Sequence, residues 1–357
     1  MAQTAPSRMG GGGGRVLDIK RVDLRRRAFF LLGGLGLLNA LVWLGAFSLF
    51  SGHPLLMGAA ALAYGLGLRH ALDADHIAVI DNVTRASLRE QRSAQAAGLF
   101  FSLGHSTIVC LATLGVVLAG QRYRASLADI AARGGLIGGW VSILFLVLIA
   151  VINGLTLRDL WGQRGQIVSG SEGTLPSRGI ARLVAPVLAR VSVSWHLYPI
   201  GFLFGLGFDT ASEISLLGIS IAQGERGLPP WEIMMLPLLF VSAMALLDTV
   251  DSVLMQGLYS RAGQRARLNL GLTLVSVLLA LSIAGVELVS MLSDHLSLSG
   301  PASVAAEFVS SHFEMIGALV FALSVFSWLW LRLTRVQAPL TDAALSDPLF
   351  GITGKDR

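Results

Sequence analysis

The sequence predicts an all-α integral membrane protein with eight transmembrane helices, and three observations carry that reading. The 357 residues are 54% hydrophobic and only 14% charged, with a mean hydropathy of +0.68, whereas soluble domains average about 25% charged residues. The apolar residues gather in runs of about 20 or more, long enough to cross ~30 Å of hydrocarbon. The Lys and Arg residues between those runs are dense in alternate loops and sparse in the others, the asymmetry that fixes orientation in a bilayer. The net charge of +5 therefore marks one side of a membrane and not a nucleic-acid surface. One cysteine, Cys110, excludes an internal disulfide and a Cys-built zinc or iron–sulfur site.

Taken in order, residues 1–28 form an N-terminal tail. Met1–Gly14 is Gly-rich and reads as disordered, and Arg15–Arg27 is a basic topology anchor, not a cleavable signal. A membrane domain follows over 29–335. Its spans run over about 29–51, 55–83, 95–120, 135–157, 196–222, 232–257, 268–292 and 314–334, the second long enough to be broken. With the N-terminus inside, only Arg122, Arg124, Arg133 and Arg226 fall in outside loops and Arg69 falls within the membrane. The other Lys and Arg residues lie inside, among them Arg85, Arg89 and Arg92 after the second span. Both termini are therefore expected in the cytoplasm. The longest loop, 158–195, repeats Ile180, Leu183, Val184, Val187, Leu188 and Val191 at helical spacing with Arg178, Arg182 and Arg190 between. That pattern reads as an amphipathic helix on the membrane surface, kinked at Pro186. The outside loop near Asp294–Glu314 has no Lys or Arg and carries Asp294, His295, Glu307, His312 and Glu314, which suits electrostatic collection of cations. The tail over 336–357 carries no readable chemistry, and no Walker motif is present, so ATP is not expected as the direct energy source.

The chain is organised around the second span, where Arg69-His70-Ala71-Leu72-Asp73-Ala74-Asp75-His76 places two histidines, two aspartates and an arginine inside an apolar run. One charge at bilayer depth costs at least ~2.5–3.5 kcal/mol, so five polar groups must face a protein interior, a wet cavity or an ion. Imidazole plus carboxylate is ligand chemistry for divalent transition metals. At ~100° per residue, His70, Asp73 and His76 fall within about 120° of one another, and Asp75 lies about 140° from His70. A regular helix would still hold His70 and His76 roughly 9 Å apart along the axis, so one ion reaches both only if the helix breaks. Gly65 and Gly67, just before, permit that break. Arg69 is expected to pair with an acid such as Asp75.

Other spans repeat the theme. Asn39 in the first is either a helix tie or a site neighbour. Asp81, Asn82 and Thr84-Arg85 read as loop-pairing residues or as the inner mouth of a path, the former being favoured. The third span carries Gly104-His105-Ser106. The fifth carries Gly205-Leu206-Gly207-Phe208-Asp209-Thr210-Ala211-Ser212-Glu213, with Asp209 and Glu213 on one face. The sixth carries Asp248-Thr249-Val250-Asp251. No intramembrane Lys or Arg accompanies the acids of the fifth and sixth spans, so they demand protons or cations. Gly65-Leu66-Gly67 recurs as Gly205-Leu206-Gly207 three spans later, an odd number. We therefore expect an inverted repeat of spans two to four and five to seven, which places a site at the repeat interface on broken helices.

His70, four residues, then Asp75-His76 resembles the H-x4-D-H signature of the nickel/cobalt transporter (NiCoT) family of secondary permeases. Leu103-Gly104-His105-Ser106, Leu206–Glu213 and Leu246–Asp251 match that family's other motifs, in order, and the likeness covers about Phe29–Arg335. The resemblance implies a secondary transporter importing Ni2+, Co2+ or both across a bacterial cytoplasmic (inner) membrane, with no ATPase subunit and no resident cofactor. His70, Asp73, Asp75 and His76 would form the main site, and His105 would complete or orient it. Asp209, Glu213, Asp248 and Asp251 would form the opposing wall, neutralising the ion or carrying protons as coupling ions. Asn39, Arg69, Ser106, Thr210 and Thr249 would support the site, and Gly67 and Gly207 would permit unwinding. Neutral imidazoles and ionised carboxylates are required, so binding should weaken as pH falls. The residues alone leave two other readings open, an intramembrane metal-dependent hydrolase and an exporter of the same metals. They do not separate nickel from cobalt.

Overall fold

In a computed structural model of the protein, residues 12–89, 92–119, 124–162, 194–207, 210–262, 266–296 and 300–333 are described. All their regular structure is helical. The helices are α1 (Gly12–Phe50), α2 (Pro54–Ala71), α3 (Ala74–Arg89), α4 (Ala97–Ala119), α5 (Arg124–Gly162), α6 (Leu197–Phe204), α7 (Ala211–Glu225), α8 (Pro230–Ile233), α9 (Met235–Ala262), α10 (Ala266–Leu296), α11 (Pro301–Ser310) and α12 (Phe313–Leu333). Among the described residues, six stretches are long and apolar enough to cross a membrane, and a seventh results if α2 and α3, bent by 51°, count as one broken span. The first helix already begins at Gly12, so the basic stretch Arg15–Arg27 forms its opening turns. The expected helix over 180–191 lies outside the described residues.

The distribution of polarity is that of a membrane protein. Large apolar side chains point outward in stripes, as Leu319, Leu323, Phe326 and Trp330 do on α12. Polar groups point inward: His76, Asn82, Asp248 and Thr249 are fully enclosed. In lipid that arrangement is the stable one, because a polar group finds its partners only inside the bundle. The least apolar of the long helices, α3, is accordingly an inner one, packed against α9, α10, α12 and α5.

Small residues set how closely the helices approach. On α4, a Cβ at Gly104 would run into the Tyr198 carbonyl, and on α6 a Cβ at Gly201 would run into that of Phe101. The two helices therefore pack backbone on backbone. Two of the apolar clusters among the described residues are large. One joins α3, α5 and α10 through Val83, Leu146 and Ile283, and the other joins α1, α2 and α9 through Phe50, Leu66 and Phe240.

Candidate metal site

The break between α2 and α3 builds the site. At the end of α2, Leu72 N–H donates to the Arg69 carbonyl (3.1 Å) and Asp73 N–H to the His70 carbonyl (2.9 Å), a tightened last turn. The chain then turns, and Ile77 N–H donates to the Asp73 carbonyl (3.2 Å), which makes Asp73 the cap of α3. Asp is favoured there because its short acceptor suits free helical N–H groups. Asp75 lies in the first turn of α3, where a negative charge is stabilised, and its Oδ1 accepts from His76 N–H at 2.6 Å. The 51° bend removes the separation that a regular helix would impose: the His70 and His76 rings lie 4.6 Å apart, centroid to centroid. The break falls after Leu72, not at the glycines. Gly67 sits inside regular helix and serves a close contact with the Phe240 backbone of α9, so its expected role in unwinding is corrected.

His105 of α4 joins the pair, its ring 4.8 Å from that of His70 and 5.0 Å from that of His76. Each of the three offers a ring nitrogen within 4.8 Å of the others, and all three are buried. Two carboxylates reach the group. Glu213 of α7 places Oε1 at 2.8 Å from His105 Nε2 and 3.8 Å from His70 Nε2, and Asp248 of α9 places Oδ2 at 3.5 Å from His76 Nδ1. Thr210 caps α7 and holds Glu213: its hydroxyl accepts from Glu213 N–H (3.4 Å), donates to Oε2 (3.1 Å) and lies 3.4 Å from His70 Nδ1. Phe240 and Phe101, one from each apolar cluster, close on the rings of His70 and His76.

The geometry has a chemical consequence. His70 Nε2, His105 Nε2 and Glu213 Oε1 form a triangle with sides of 3.0, 2.8 and 3.8 Å. Its centre lies about 1.9 Å from each corner, close to the ~2.0–2.1 Å of a bond between imidazole nitrogen and a divalent metal such as zinc. Both ring nitrogens of His76, Nδ1 of His105 and both oxygens of Asp248 are buried without a hydrogen-bond partner. Each such group costs roughly 1–3 kcal/mol, a penalty that a bound cation relieves. The residues present therefore fit a divalent transition metal.

The remaining expected residues fall in different places. Asp73 and Asp75 face a cavity of about 750 Å3 that leads to Thr210, and Gly207, between α6 and α7, lines it too. Asp251 sits in a deeper group with Asp81, away from the three rings. Thr249 donates to the Ala245 carbonyl of its own helix, and the Ser106 hydroxyl is buried without a partner. Asn39 ties α1 to α9 by donating to the Ser242 carbonyl at 3.0 Å, as the helix-tie reading expects, while its Oδ1 is buried without a hydrogen-bond partner. Asp209 lies outside the described residues. Arg69 pairs not with Asp75 but with Glu314 at the start of α12, whose other oxygen accepts from the Ser212 hydroxyl at 2.5 Å. Arg85, expected in a loop, is buried. Glu287 of α10 was not anticipated. It lines the cavity and accepts from the Ser142 hydroxyl at 2.9 Å, and an acid inside the apolar run 268–292 was the signal that could have found it.

The Arg69–Glu314 ion pair lies in the cavity wall and braces α2 against α12. Arg69→Ala should lower metal uptake several-fold without loss of folded protein, and Glu314→Gln should do the same. Because the two act as one unit, the double variant should be no worse than either single one. Uptake at matched membrane levels measures this, and additive losses would contradict it.

Fold and site together define a class: a multi-pass helical membrane protein with a buried imidazole–carboxylate centre at a helix break. The chain belongs to the NicO family, high-affinity nickel-transport protein, whose model matches residues 56–333. It is 41% identical over 302 residues to the high-affinity nickel transport protein of Cupriavidus necator, covering 81% of this chain and 86% of that one. It is 40% identical over 288 residues to the nickel transporter NixA of Staphylococcus aureus (78% and 85%), and 36% identical over 325 residues to the cobalt transport protein NhlF of Rhodococcus rhodochrous (85% and 91%). No solved structure matches the chain. The family is one of transporters and not of enzymes, which sets the hydrolase reading aside.

Proposed function

We propose that this protein is a secondary transporter that imports Ni2+, Co2+ or both across the bacterial cytoplasmic membrane, and that His70, His76, His105 and Glu213 hold the ion. The observation that carries the reading is the convergence of three buried imidazoles and a carboxylate at a helix break in a membrane-spanning bundle. The relatives' names, nickel for two and cobalt for one, agree with it. Asp248 stands on the far side of His76, and Asp73 and Asp75 stand in the cavity on the way in.

The finer architecture follows from the same reading. The short helices α6 and α7, separated at 205–210, make one further broken span and bring the total to eight. They pair with α2 and α3 as the two broken members of an inverted repeat of spans two to four and five to seven. The tail over 1–28, the transport domain over 29–335 and the tail over 336–357 then have both termini in the cytoplasm. In that orientation the cavity opens outward, because it lies among the ends of α5, α10 and α12 farthest from the start of α1. Protons are the coupling ion we favour, since carboxylates and imidazoles exchange them for a metal.

Radiolabelled nickel and cobalt, supplied to cells that make the protein, test the reading. Accumulation above vector controls is the expected result, and the ratio of isotopes gives the preference. Lowered accumulation would replace import by export.

A further inference from the structure

Past His76 along α3, toward the end of the bundle where α1 begins and which we call the N-terminal side, α3, α9 and α10 carry a second buried polar cluster that the proposed ion site does not use. Five residues beyond His76, Asp81 accepts a hydrogen bond from the Tyr259 hydroxyl of α9. One turn further, Arg85 lays its guanidinium 4.1 Å from the centre of the Tyr259 ring. Its Nη1 donates to Thr273 Oγ1 at 2.5 Å and its Nη2 to Ser276 Oγ at 3.1 Å, both on α10. Asp81 and Arg85 are each 4% exposed. Between this cluster and His76 lie Asp248 and Asp251, with all four carboxylate oxygens buried and without hydrogen-bond partners. Met255 and Leu258 pack with Tyr259, Leu88 and Leu272 around the same interface.

These positions form a path with a lock across it. A cation leaving the histidines on this side meets Asp248, then Asp251 and Asp81, and then a fixed guanidinium. Carboxylates draw a dication forward, and the arginine repels it, so nothing passes while Arg85 stays stacked. On the opposite side, the cavity of about 750 Å3 already reaches the helix break. A gate on the side away from that cavity is what alternating access around a fixed site requires. We propose that Asp81, Tyr259 and Arg85 are the closed gate on the N-terminal side of the transport path. It opens when Tyr259 releases Asp81 and Arg85 leaves Thr273 and Ser276. The proposal rests on the transport reading.

A thiol reporter tests it. With Cys110→Ser to remove the native thiol, Met255→Cys places a cysteine behind the lock, where Met255 is 2% exposed. In inverted membrane vesicles, labelling of that cysteine by a small charged thiol reagent is compared among the parent, Tyr259→Phe and Arg85→Gln. Labelling at least ten-fold faster in either variant is expected, with faster leak of preloaded nickel and nickel affinity within two-fold of the parent. Tyr259→Phe removes only a hydroxyl, so it serves if Arg85→Gln does not fold. Parent-like labelling and leak, in variants that still bind nickel, would overturn the gate. So would lost nickel binding in Tyr259→Phe, which would make the cluster scaffolding. A parent that neither binds nor moves nickel would instead remove the transport reading, and the gate with it.

Discussion

Replacing His70 by alanine should reduce nickel and cobalt uptake to the vector background, a loss of at least ~100-fold, since even groups that only orient metal ligands are worth 10–100-fold. The reason is position. His70 Nε2 lies 3.0 Å from His105 Nε2 and 3.8 Å from Glu213 Oε1, so its removal takes away one corner of the triangle. What remains of the triangle is the His105 imidazole and the Glu213 carboxylate 2.8 Å apart, which satisfy one another by a hydrogen bond and leave His76 without a third partner at the ion. Two effects compete in the variant. The cavity left by the ring costs stability, typically a few kcal/mol for a buried side chain. Against that, no buried partner is orphaned, because His105 Nε2 and Thr210 Oγ1, which face the His70 ring, both keep Glu213 as a partner. The protein should therefore remain folded, and the loss should lie in binding. Isotope uptake at matched membrane levels, with equilibrium binding of the same isotope to purified protein, measures both. His76→Ala should behave alike. Full uptake by either variant would move the site to the carboxylates of α9.

Much of this candidate site is legible in the sequence, and the parts that are not share a physical cause. Spacing along one chain is readable: His70 and His76 could meet only through a break, and the break is there. What a residue meets across the bundle is not. Arg69 reads as a partner for Asp75, an acid nearby in sequence, yet it pairs with Glu314, 245 residues away. Arg85 followed an apolar run and read as a loop cation, but Thr273 and Ser276 draw it into the interior. Gly67 illustrates a different limit. A glycine before a polar run signals either a bend or a close approach, and only the Phe240 backbone beside it decides for the approach. Asn39 carried two readings for the same reason, until the Ser242 carbonyl was seen to take its amide. The family motifs, by contrast, were local patterns and needed no partner to be recognised.

The second large effect comes from a residue with no chemistry at all. Gly317 of α12 packs on the break itself, and a Cβ there would run into the Leu72 carbonyl, with Asp73 and Ala74 backbone atoms within 2.9 Å. Those atoms are backbone, so no flexible side chain can yield. Either α12 moves outward or the break moves inward. Glu314 stands one turn before Gly317 and holds Arg69, so a displaced α12 also pulls on the end of α2 that carries His70. Overpacking of this kind costs typically ~1–3 kcal/mol in stability. The functional cost should be larger, because an error of about 1 Å in a site that positions several groups can lower its performance ~100-fold. Gly317→Val should accordingly lose uptake almost completely while its thermal midpoint falls by only a few degrees, and Gly317→Ala should be intermediate in both. Gly285→Ala on α10 is the control, since nothing lies within 4 Å of the added carbon, and it should match the parent. Thermal unfolding in detergent, read beside isotope uptake, separates the two costs. A Gly317→Val protein with parent-like uptake would mean that the break is set within α2 and α3 alone. The expected loss would mean that the last helix, which offers the histidines no ligand, sets the angle at which they meet.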